Sequence, residues 1–168
     1  MMIEYMDVVD VDDNVVGKAS KSEIYEKNLR HRIVHVLIYN DKGEMAIQLR
    51  SKKVSFCPHH WCTAVGGHVQ SGETYEEAAM REYQEELGMT TRIEFFKKDF
   101  YKGGGNKDGP KLEKFLTTFR TTFNGPFKPD PEVVERVDFF PIEEMKQMAK
   151  RGEKFHPELL FLLEKHVF

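Results

Sequence analysis

Hydrophobic and polar positions alternate at the start of the chain, along residues 4–9 and 15–20, and the Asp-Asp-Asn between them reads as the turn of a β-hairpin. Residues 21–28 then predict a short helix, with Ser22 as its cap. Two apolar runs, 32–40 and 44–50, flank Asp41-Lys42-Gly43 and predict a second hairpin. Residues 61–64 predict a short strand, and 75–87 a helix with Met80, Tyr83 and Leu87 as its apolar flank. Strands follow at 93–101 and 112–123, separated by a loop at 102–110 whose Gly-Gly-Gly-Asn run is expected to be mobile. A Pro- and Gly-punctuated loop at 124–131, a strand at 133–140 and helices at 142–150 and 157–166 complete the chain. Strands alternating with helices and hairpins imply an α/β fold, a mixed sheet with helices on both faces.

The helix at 75–87 carries the candidate chemistry. Glu82, Glu85 and Glu86 stand at i, i+3 and i+4, neighbours on a helical surface. At about 100° per residue they share an arc with Tyr75, Ala78 and Ala79, while Glu77, Arg81 and Gln84 take the opposite, wet side. Acids beside small alanines at the edge of a buried stripe suit a cleft, and such a cluster repels itself unless a cation sits among the carboxylates. Hard divalent cations, Mg²⁺ above all, take oxygen ligands of this kind and share them with substrate phosphates. Gly66 and Gly67, in the loop expected ahead of the helix, permit close approach of a ligand to the backbone. Glu73 lies near the helix N-terminus, where negative charge is favoured, and Arg81 can pair with a carboxylate one turn away. Gly88 stands where a C-cap is expected.

Residues 67–89, GHVQSGETYEEAAMREYQEELGM, resemble the Nudix box, Gly-x5-Glu-x7-Arg-Glu-U-x-Glu-Glu-x-Gly-U with U a bulky aliphatic residue. Every fixed position matches, and Tyr83 stands where an aliphatic residue is usual. The resemblance implies one Nudix domain over residues 1–168, an α/β/α sandwich with a mixed β-sheet. It also implies Mg²⁺ or Mn²⁺ bound by Glu82, Glu85, Glu86 and the Gly67 carbonyl, with Arg81 and Glu73 as orienting residues. His31-Arg32, the following IVHVLIYN, Gln48-Leu49-Arg50-Ser51 and Pro58-x-x-Trp61 resemble the branch related to isopentenyl-diphosphate isomerase. Those isomerases place a catalytic cysteine where this chain has Gly66. They also carry a histidine where the nearest equivalents here are Ile24 and Tyr25. On that evidence hydrolysis of a diphosphate linkage in a nucleoside diphosphate derivative or similar metabolite is expected over isomerisation. A sensing module that binds without turnover is the other alternative, although it would be expected to have lost box glutamates.

A length of 168 residues suits one domain, with the N-terminal hairpin and short helix in 1–30 and the C-terminal helices in 142–168. The net charge of −3 leaves no footprint for a nucleic-acid polymer or membrane surface. The acidic start is no signal peptide, and no segment could span a bilayer. Cys57 and Cys62 are too few for a zinc site, and a reducing cytoplasm is the expected setting. Opposite an acidic metal site, cations must grip phosphate oxygens, and the resemblance favours Arg50 and Lys53. His68 follows the first box glycine, where it could touch phosphate or bond the backbone. His31 and His35 would point to one face of a strand about 13 Å apart, too far to share an ion. The resemblance nevertheless marks His31, with Glu113, as a further candidate metal ligand. Specificity is expected in loops 102–110 and 124–131, and the N-terminal hairpin leaves a strand edge that a second subunit, making a homodimer, would cover.

Overall fold

The computed structural model describes residues 2–104 and 111–168. The far end of the Gly-Gly-Gly-Asn run, and with it the expectation of a mobile loop at 105–110, lies outside these residues. In chain order the elements are β1 (Tyr5–Val9), β2 (Val15–Ser20), α1 (Lys21–Lys27), β3 (His31–Tyr39), β4 (Met45–Arg50), β5 (Trp61–Thr63) and β6 (Val65–His68). There follow α2 (Tyr75–Leu87), β7 (Glu94–Lys102), β8 (Glu113–Thr122), β9 (Val134–Phe140), α3 (Ile142–Lys150) and α4 (Pro157–His166).

β3 is the spine of a mixed seven-stranded sheet. It runs parallel to β8 along its whole length, and its other edge is shared. Ile38 and Tyr39 pair with β4, while Ile33–Val36 pair with β6. β4 in turn pairs with β5 and β9, and β7 closes the far edge beside β8. Burial on both faces explains the unbroken apolar run of β3, since a strand covered on two sides needs no alternation. Val34, Val36 and Ile38 face α2, packing with Ala78, Ala79, Tyr83 and Leu87. Leu37 faces the other way, with Ile47, Trp61 and residues of α3 and α4. Each fully buried Leu, Ile or Val of these layers contributes about 1.5–3 kcal/mol.

Two local expectations are corrected. The strand expected at 61–64 is β5, paired with β4, but the segment after it forms a further strand, because β6 pairs with β3. Gly66 and Gly67 therefore lie in a strand, not a loop. The cap of α1 is Ser20, whose hydroxyl accepts from the Glu23 amide, and Ser22 lies within the helix. α2 starts on a capping box in which Thr74 and Glu77 satisfy each other's backbone amides, and it stops at Gly88, whose φ of 70° is the left-handed C-cap expected there. Tyr83 fits a place usually aliphatic because its hydroxyl, 3.1 Å from that of Thr91, finds a partner at the edge of the core.

The β1–β2 hairpin is tied to the start of α2. Asp7 accepts from the Ser71 hydroxyl at 2.7 Å and the Gly72 amide at 3.2 Å. Asp13 accepts from Arg32 and the Tyr75 hydroxyl at 2.7 Å, and from Lys98. Burial opposes ionisation of Asp13, but these donors outweigh it and hold its carboxyl below the usual range.

Candidate active site

The carboxylates of α2 do not form one uniform cluster. Glu86 is buried, its two oxygens accepting from the Gln48 amide at 2.8 Å and the Gly66 backbone amide at 3.2 Å. Burial, then the neighbouring charge of Glu82, push its carboxyl well above the usual range, and those two donors and Arg50 only partly oppose this. Burial likewise pushes Glu82 up to about 7, against the pull of Arg81 and with Glu85 and Glu4 adding to it. The side chain of Glu85, by contrast, is 59% exposed and turns toward Arg81, 3.3 Å away.

Arg81 is not on a wet side. Its guanidinium grips Glu73 through two bonds of 2.7 and 2.9 Å and donates to Glu82 at 2.8 Å and the His68 carbonyl at 3.0 Å. The helical wheel placed it outward, but residues 68–73 fold back over that arc and cover it. Burial works against ionisation of Glu73, yet the Arg81 pair and the Gln70 amide outweigh it and hold Glu73 below the usual carboxylate range. Arg81 thus fixes Glu82 and, through Glu73, the chain just ahead of the helix. Gly67 is required for a different reason: a Cβ there would lie 2.3 Å from the Glu82 carboxyl carbon. The backbone of β6 and the Glu82 carboxyl are in direct apposition.

Of the remaining candidates, Arg50 ends β4 with its Nε on the Phe56 carbonyl, and its charge reaches Glu86. Lys53 is paired with Glu132 on the open surface at 3.0 Å. Glu113 is taken up by Arg30 at 2.5 Å and Lys102 at 3.6 Å. The His68 ring stacks on His31 and bonds the Tyr25 hydroxyl, and burial holds its pKa well below the ordinary value. Burial takes His31 down to about 4, against its bond to the Leu29 carbonyl and with the Lys114 charge contributing. His31 Nε2 is buried without a partner among the described residues, and the Lys114 charge acts on the ring.

Sequence reasoning missed a second buried ionic centre among the described residues. Glu158, from α4, accepts from Lys114 and His35, each 2.9 Å away. It also missed Gln48 as the partner of Glu86. The one available sign was an isolated polar side chain within the apolar MAIQLR run of β4. Beside the C-terminus of α2, where the Lys128 and Asp130 amides bond the Leu87 and Glu86 carbonyls, lies a cleft of about 380 Å³. Asn124, Phe127, Glu135, Arg136 and Phe139 line it.

The family model of the NUDIX domain matches residues 29–163. The chain is 30% identical to an uncharacterized Nudix hydrolase of Yersinia pestis over 159 residues, 95% of this chain and 83% of that one. It is similar to an isopentenyl-diphosphate Delta-isomerase of Serratia proteamaculans at 31% identity, over 55% of this chain and 52% of that protein. A crystal structure of a Deinococcus radiodurans protein superposes with a TM-score of 0.82 at 25% identity, covering 96% of this chain and 98% of the other.

Proposed function

This chain belongs to the Nudix family, and from that premise we propose that it is a Mg²⁺- or Mn²⁺-dependent pyrophosphohydrolase acting on a nucleoside diphosphate derivative or similar metabolite. The observation that carries the reading is the pair Glu82 and Glu86. Both carboxyls are withdrawn from water and incompletely neutralised, which leaves an acidic deficit that a divalent cation would relieve. The donor set fits such an ion. Among the described residues no three His, Cys, Asp or Glu side chains form a cage, but Mg²⁺ is held through one or two carboxylates and completed by water and substrate phosphates.

Glu82, Glu86 and the Gly67 carbonyl would hold the ion, with Glu85 at the rim. A cation held there supplies Lewis acidity toward phosphate oxygens and lowers the pKa of a bound water. Arg81 orients Glu82, and Glu73 anchors Arg81. Glu85, the most exposed of the three box glutamates at issue, is the one that water can reach to surrender a proton. Arg50 would balance phosphate charge, and Lys53 would join it by leaving Glu132. The His68 ring, engaged by Tyr25 and His31, contributes shape rather than charge. The cleft at 124–139 would receive the group beyond the diphosphate. Isomerisation is the weaker reading: any side chain at position 66 would meet His35 Nδ1 and Thr63 Oγ1 at 3.1 Å. The partner is a small-molecule diphosphate. No helix among the described residues is long and apolar enough to cross a membrane, and free Cys57 and Cys62 suit a reducing cytoplasm. Val15 and Val16, exposed on β2, offer a surface for a homodimer.

Incubation with Mg²⁺ and a panel of nucleoside diphosphates and triphosphates, sugar nucleotides, dinucleotides and isopentenyl diphosphate, with products resolved by mass, tests this. Phosphate or nucleoside monophosphate released from one class, and lost in Glu86→Gln, is the expected result. Isomer without phosphate release, or binding without turnover, would replace the hydrolase reading by the isomerase or the sensor.

A further inference from the structure

We propose that Gln48, a residue of β4 outside the box, is a positioning residue for Glu86 and sets the affinity of the site for a divalent cation. This rests on the reading of Glu86 as a metal ligand. β4 is apolar around it: Met45, Ala46, Ile47 and Leu49 are all buried, and Gln48 has no exposed surface. A leucine would fill such a place without bringing polar atoms into the core, so the amide needs a reason to be there.

The geometry supplies one. The Gln48 nitrogen donates to the Ala64 carbonyl at 3.0 Å and to Glu86 Oε1 at 2.8 Å. Both partners are acceptors, so only the NH₂ end of the amide can face them, and its orientation follows from chemistry. Two residues beyond Ala64, the Gly66 amide takes the other oxygen, Glu86 Oε2, at 3.2 Å. One carboxylate is thus held at both oxygens, by one side chain and one backbone group. Ala64 serves as the shared fulcrum, tying the amide to the chain that carries Gly66. Held in this way, the Glu86 carboxylate keeps a single plane, and no rotamer search precedes capture of an ion. The arrangement leaves Gln48 Oε1 buried without a partner among the described residues. Both amide hydrogens meet acceptors, one of them Glu86.

The test is Mn²⁺ affinity, measured directly by titration calorimetry on full-length protein below its melting temperature. Gln48→Met keeps the volume and removes the donor. It is expected to weaken Mn²⁺ binding about 10–100-fold, the usual effect of losing a partner that orients a metal ligand. Gln48→Asn keeps an amide but is one methylene short, and should fall between Met and the parent. Thr118→Val, a buried polar residue on the other side of the sheet, controls for general loosening and should leave affinity within about twofold of the parent. In the unsubstituted protein, the Gln48 side-chain amide resonances should shift as Mg²⁺ is added, a readout that needs no variant to fold. Affinity unchanged in the Met and Asn variants, or resonances that stay put, would overturn the proposal. The same titration on Glu86→Gln separates the two levels. If that variant binds Mn²⁺ like the parent, the ligand assignment itself fails; if it loses affinity and Gln48→Met does not, the role of Gln48 alone fails.

Discussion

Glu86 and Glu158 stand on opposite faces of one sheet, equally hidden from water at 6% and 5% exposure, and their carboxyls are shifted in opposite directions. For both, burial is the largest influence and disfavours the charged form. For Glu158 the neighbours reverse it. The bond from His35 and the charge of Lys114 lead, with His35 and His156 adding, and its carboxyl falls far below the usual range. Glu86 meets a neutral amide, one backbone amide, a distant guanidinium and the like charge of Glu82, so its carboxyl stays high. Burial therefore does not separate a structural carboxylate from a reactive one. The count of cations around it does, and the deficit at Glu86 is what an added metal would fill.

Glu86→Gln is the sharpest way to break the comparison. It should lower hydrolysis by at least about 10³-fold, roughly 4 kcal/mol in the barrier. The metal-free protein should melt no lower than the parent, because a neutral amide carries no buried charge. Glu158→Gln should do the reverse. It leaves Lys114 buried without its carboxylate, a loss of about 3–5 kcal/mol in urea unfolding, with turnover per folded molecule nearly unchanged. If Glu158→Gln abolished turnover at full stability, the two carboxylates would not divide the work as argued.

The pH dependence sharpens the same contrast. Glu82 is raised from 4.5 to about 7 by burial, so its contribution to the stability of the metal-free protein is fully present below about pH 4.5 and lost as pH rises toward 7. Glu158 is lowered, so its contribution is present above the ordinary glutamate value and lost only in acid, as pH falls through its depressed folded value. Melting in chelator should therefore show stability draining between pH 5 and 7, and Mg²⁺ should restore more of it at pH 7 than at pH 5, as estimated from linkage. A metal-induced rise in melting temperature that is flat across this range would count against Glu82 as a ligand, and Glu82→Gln should flatten it.

These two centres were unequally legible in the sequence. The box could be read because its residues act within one helix and the turn before it, and the periodicity of Glu82, Glu85 and Glu86 survives in one dimension. The Glu158 centre could not, since its partners lie 123 and 44 residues away, brought in by strand pairing that no local pattern encodes. Pairing is also why Gly66 and Gly67 read as loop and proved to lie in a strand. Arg81 was misplaced for a related reason: a helical wheel knows only the helix, and the segment that covers Arg81 is outside it. Ser20 and Ser22 are both competent caps by composition, and only the backbone bend at Ser20 separates them.

The smallest predicted effect compares Arg50 with Lys53, neighbours in sequence and unlike in setting. Arg50 is the cation whose charge reaches Glu86, whereas Lys53 is spent on Glu132, both side chains being well over half exposed. Arg50→Gln should raise KM about tenfold through lost phosphate contact, while Mg²⁺ binding should not weaken, because the variant removes a positive charge that acts on Glu86. Lys53→Gln should change stability by less than about 0.5 kcal/mol, as exposed pairs do. Its KM separates two geometries. A threefold or smaller rise, roughly 0.6 kcal/mol, would mean that Lys53 stays with Glu132 while substrate is bound. A rise equal to that of Arg50→Gln would mean that the 52–60 loop closes on the phosphates and Lys53 exchanges one carboxylate for them. Glu132→Gln distinguishes these independently, because freeing Lys53 should lower KM only if the exchange occurs.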